Sequence, residues 1–203
     1  EHYQQMGMAP AEAARVKGRL RAWDSITVPR WAGVPESRCV QLGYFCLQLP
    51  AMQAAPDQPI ASREADLSDT RLFRQFNSLT LPGDADGAPT WNNLIADLRA
   101  LLLAARPNVL VMPHATIDPH PDHVCSQAAV LEALQGLAWQ PSVILGYANH
   151  LHDNDRWPMG DVYSGVALPP VFDAGQEQAL APLLELLSNG SEDTAVRLAG
   201  FAL

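Results

Sequence analysis

Three histidines and two aspartates fall within a single stretch, His114-Ala-Thr-Ile-Asp118-Pro-His120-Pro-Asp122-His123. Imidazole and carboxylate are the usual protein ligands of a catalytic zinc ion, and they are also the commonest general acids and bases. A residue before proline is pushed out of the α region, so Asp118 and His120 should both be extended on a stiff backbone. Asp122 then fits as the N-cap of a following helix, with His123 in its first turn. A helix start disfavours imidazolium, which suits a neutral, metal-binding His123. The same residues would also serve as a plain polar turn in which Asp122 caps a helix and nothing more.

The flanking pattern says what positions this cluster. The apolar run Val109-Leu-Val-Met112, bounded by Pro107 and Pro113, reads as a buried strand, and an amphipathic stretch from 123 to 136 reads as a helix. Upstream, Thr90 caps a helix whose apolar stripe runs from Trp91 to Ala105 and stops at Pro107. Downstream, Val143-Ile-Leu-Gly-Tyr147 is the next strand. Helix, strand, helix, strand is the rhythm of a parallel sheet with helices on its faces, and ligands in such sheets bind outside the carboxyl ends of the strands. A second polar patch, Asn149-His150-Leu-His152-Asp153, should emerge on that same edge, so His150 and His152 are candidate substrate contacts together with Asp118. Val162–Leu168 reads as a last strand, and a helix over 176–187 should kink at Pro182.

The first half is less informative. A helix is expected from Pro10 to about Trp23, a connection over 25–35, and a strand over Cys39–Leu47 ended by Pro50. A loop is expected over 51–66, a short helix over 69–79, and an exposed turn over 82–89. Asp84 and Asp86 faintly suggest a calcium loop, but no glutamate follows at the required position and that reading is discarded.

At 203 residues the chain is expected to form a single domain, 1–203, long enough for a real core. The net charge is −9 and the basic residues are scattered, which argues against nucleic acid and anionic membranes as partners. Three cysteines without paired spacing suit a reducing compartment, so a cytoplasmic location is expected. No apolar run reaches the length of about 20 residues that spans a bilayer.

Pro119-His120-Pro121-Asp122-His123, following a strand and opening an Ala-rich helix, resembles the second signature of the PIG-L/LmbE-like zinc deacetylases. Tyr147-Ala-Asn-His150, Trp157-Pro158-Met-Gly160 and Leu168-Pro169-Pro170 resemble that family's downstream pattern, so the likeness covers roughly residues 90–172. It implies an α/β, Rossmann-like fold, mostly parallel, with helices on both faces of the sheet. It also implies removal of an N-acetyl group from a small amino-sugar substrate, with Zn2+ or another divalent metal as cofactor. By that resemblance His123 is the metal ligand and His120 the oxyanion donor or the acid that protonates the leaving amine. Asp122 is the carboxylate that orients an imidazole. The family's first signature, a His-Pro-Asp-Asp-type loop supplying two more ligands and the general base, has no match here. The chain is therefore expected to be a C-terminal portion that lacks a central N-terminal strand and is inactive alone. Two other readings compete: a non-catalytic Rossmann-like domain binding sugar or protein without metal, and a metal hydrolase using His114, His120 and His123 as its own triad. The second of these is disfavoured because His120 and His123 flank a proline and should diverge.

Overall fold

The computed structural model describes residues 2–148 except Ile117. The expected strand over 162–168, the helix over 176–187 and the candidate contacts His150 and His152 lie outside the described residues. Within them the order is α1 (His2–Gln5), α2 (Pro10–Trp31), α3 (Leu49–Ala54), α4 (Trp91–Ala105), β1 (Val109–Pro113), α5 (Pro121–Leu134) and β2 (Val143–Tyr147), with single 3-10 turns at Glu36–Arg38, Thr70–Phe73 and Pro82–Ala85.

The class is mixed α/β. Strands β1 and β2 are parallel, with Val109 opposite Val143 and Pro113 opposite Tyr147, and α5 makes the crossover between them. Helix α4 begins where expected: the Thr90 hydroxyl accepts the Asn93 N–H at 3.1 Å. It ends with Arg106 in the left-handed region (φ 42°) just before Pro107. Its stripe of Leu94, Ile95, Leu98, Leu101 and Leu102 meets Leu110 and Met112 of β1, Ala129, Val130 and Ala133 of α5, and Met52 of α3 in one core. That buried stripe, rather than intrinsic helix propensity, is what holds α4 and α5 on the sheet.

Three expectations for the first half need correction. Helix α2 does not stop near Trp23 but runs through Pro29 to Trp31, and ends in a Schellman motif. The Gly33 N–H (φ 78°) reaches the Arg30 carbonyl and the Val34 N–H reaches that of Pro29. Pro50 does not close a strand. It opens α3 at a position where a missing N–H costs nothing. The segment 39–47 is not a strand, because its polar backbone is satisfied by side chains from elsewhere. Asn77 brackets Gln41, accepting its N–H at 2.7 Å and donating to its carbonyl at 2.8 Å. Arg74 Nε donates to the Leu42 carbonyl at 2.8 Å, and Gln48 accepts the Phe45 N–H. At Gly43 the backbone takes φ 79°, and a Cβ there would lie 2.5 Å from the Thr70 carbonyl oxygen. Farther on, the expected helix over 69–79 shrinks to the 3-10 turn at Thr70–Phe73.

Candidate functional site

Chain leaving β1 enters the His/Asp stretch directly. The His114 N–H continues the strand pairing onto the Tyr147 carbonyl, and the Asp118 N–H turns back to the His114 carbonyl, both at 2.9 Å. His114 itself is used structurally. Its Nδ1 accepts the Thr116 N–H, and its ring fills the space over Gly146, where a Cβ would come within 2.7 Å of Cδ2.

Helix α5 begins two residues earlier than the sequence suggested, and Asp122 is not its N-cap. His120 takes that place (φ −57°, ψ 130°), its Nδ1 accepting the Asp122 N–H at 3.3 Å, with Pro121 in the first helical position. His123 does fall in the first turn, as expected. The rings of His120 and His123 do not diverge; their centroids are 4.8 Å apart at a 44° tilt. The helix turn that follows Pro121 brings residues three apart onto one face.

The two carboxylates exchange their expected duties. Asp118, expected at the substrate, is fully buried, and its Oδ2 lies 2.7 Å from Nδ1 of His123, itself 3 % exposed. Asp118 therefore orients an imidazole, the task expected of Asp122. Asp122 Oδ2 instead accepts the Leu47 N–H at 2.6 Å, across 75 positions of sequence. Its Oδ1 is buried with no hydrogen-bond partner among the described residues.

That bond to Leu47 brings in a residue no spacing pattern signalled. Cys46 sits in the turn that Asp122 holds, and one donor atom from each of Cys46, His120 and Asp122 lies within 4.8 Å of the others. This Cys/His/Asp group could hold a metal ion. His123 is not a member of it. Burial and then the negative charge of Asp122 push the Cys46 thiol above its ordinary pKa. Burial and then the charge of Asp118 do the same to the Tyr147 phenol. Cys46 also lines a cavity of about 300 Å³ whose other walls include Lys17 and Arg21 of α2, Phe45 and Phe73. The turn is strained: Leu47 has φ 59° and is about half exposed. A non-glycine residue pays roughly 1–2 kcal/mol in that region. Leu47→Gly is therefore expected to raise stability by up to about 1 kcal/mol once glycine's larger unfolded-state entropy is subtracted, read as a higher urea midpoint at unchanged slope.

Among the described residues, no helix is long and apolar enough to cross a membrane. The chain matches no protein-family model, no curated protein and no solved structure.

Proposed function

We propose that this protein is a zinc-dependent hydrolase that removes an N-acyl group from an amino-sugar-containing substrate, built on a Rossmann-like sheet of the PIG-L/LmbE-like kind. One observation carries the reading: a buried carboxylate–imidazole pair, Asp118 and His123, at the carboxyl edge of β1 in the first turn of α5, with the His120 ring beside it. Histidines that ligate metals characteristically hand their second nitrogen to a carboxylate, which fixes tautomer and ring orientation. The donors present suit a divalent cation, since imidazole and carboxylate are its ordinary ligands and the buried Asp118 carboxylate already backs the His123 ring.

His123 would hold the metal through the nitrogen that Asp118 does not engage. When bound, zinc supplies a water of lowered pKa and polarises the acyl carbonyl. The remaining work belongs to the chain. Asp118 keeps the His123 ring from turning. His120, partly exposed where His123 is buried, can reach a bound substrate and give a proton to the departing amine. Asp122 locks the Leu47 turn against the start of α5, so that the wall opposite His120 stays in place.

The test is metal analysis of the full-length protein together with release of acetate from an N-acetylglucosamine conjugate. About one zinc per chain at the His123 site and zinc-dependent release of acetate are expected. A metal-free protein that still bound the sugar would replace this reading with a non-catalytic binding domain.

A further inference from the structure

We propose that Cys46, His120 and Asp122 form a second cation site, distinct from the one His123 would serve, that takes a thiophilic divalent ion such as Zn2+ or Cd2+ and thereby captures His120. The site draws on two parts of the chain far apart in sequence. Cys46 comes from the strained turn before α3, while His120 and Asp122 come from the start of α5. Their donor atoms lie within 4.8 Å of one another, as donors around a single ion must, and they are of three chemical types that zinc accepts together. Asp122 is 4 % exposed, and its Oδ1 has no hydrogen-bond partner among the described residues. A buried carboxylate oxygen in that state is normally costly, and a cation would satisfy it. Cys46 also lines a cavity against α2.

Binding would release the thiol proton to solvent and place the Cys46 sulfur, the His120 imidazole lone pair and an Asp122 oxygen on the ion. An imidazole so engaged cannot donate a proton, so occupancy switches off the step assigned to His120. That consequence rests on the proposed hydrolase reading. The binding itself does not.

Cadmium titration of the apo protein separates the two. A thiolate-to-metal charge-transfer absorbance should appear in the wild type and in Cys39→Ser and Cys125→Ser, whose sulfurs lie outside the group, and should vanish in Cys46→Ser. If the wild type shows no such band, or Cys46→Ser keeps it, the site does not exist, whatever the protein catalyses. Where the hydrolase reading holds, excess zinc should inhibit acetate release, and Cys46→Ser should raise the half-inhibiting concentration at least tenfold. An inhibition curve that Cys46→Ser leaves in place would overturn the capture of His120 while leaving the deacetylase itself standing.

Discussion

On the proposed hydrolase reading, His120→Ala is expected to lower turnover by about 10²–10⁴-fold, the usual contribution of a positioned general acid, with the zinc content unchanged. His123→Ala should do the reverse at the metal, stripping it and leaving no measurable activity. The two rings are close enough to be confused by any low-resolution argument, with centroids 4.8 Å apart. Their surroundings distinguish them. His123 is enclosed and backed by Asp118, the setting of a ligand. His120 is more open, its Nδ1 engaged as the cap of α5. Asp118→Asn gives a graded control: it keeps the size of the side chain and loses the charge behind His123, and should weaken metal affinity about 10–100-fold. Metal content by atomic absorption and turnover, measured on the same preparations, decide the matter. Loss of metal in His120→Ala with the rate retained would exchange the roles of the two histidines.

The largest effect on stability is expected at Arg74, far from that chemistry in sequence. Its guanidinium is almost wholly buried and lies between two carboxylates, 3.0 Å from Asp84 Oδ1 and 2.8 Å from Asp97 Oδ2. The contact with Asp97 Oδ2 is one of charge rather than an aligned hydrogen bond, while Oδ1 accepts the Gly83 N–H at 2.6 Å. Arg74→Met leaves Asp97 charged in the core. Removing one partner of a buried pair in this way costs about 3–5 kcal/mol, or roughly 6–20 °C in Tm for a chain of this size. The double variant Arg74→Met/Asp97→Asn removes the stranded charge but keeps the Gly83 hydrogen bond, and should recover more than half of the loss.

The pH dependence gives a second check on the same pair. Burial raises the Asp97 carboxyl above its ordinary pKa, against the lowering effect of Arg74. In Arg74→Met that lowering is gone and the folded-state value rises further. A carboxyl whose folded pKa exceeds its unfolded one binds more protons when folded, so stability falls as pH rises through that interval. The penalty of Arg74→Met should accordingly shrink as pH drops from neutrality toward the usual aspartate range. A penalty that stayed constant with pH would mean that lost packing, and not the stranded charge, dominates. Because Arg74 also holds the Leu42 carbonyl, the variant should loosen the segment that presents Cys46.

The local elements around the histidines were open to reading from the chain alone. Periodicity fixed the bodies of α4 and α5, Thr90 and Pro107 marked the ends of α4, and the apolar runs at 109–112 and 143–147 became parallel strands joined by a helix. Sequence therefore determined that His120, Asp122 and His123 sit where a strand edge passes into a helix start, because each of those signals acts over a few residues. What only the tertiary structure decided is which carboxylate serves which imidazole. Asp122 looked like the cap and the orienting group. His120 caps instead, since its own Nδ1 reaches the Asp122 N–H, and Asp118 orients His123 because the chain folds back after His114. Cys46 was beyond reach of any spacing rule: it meets His120 only because the Asp122 carboxylate grips the Leu47 backbone across the core. The strand expected over 39–47 failed for the same reason, its hydrogen bonds being taken by Asn77, Arg74 and Gln48 rather than by a neighbouring strand. Patterns of a few residues set the backbone's local shape; the pairing of polar groups brought together from distant segments is settled only when the core closes.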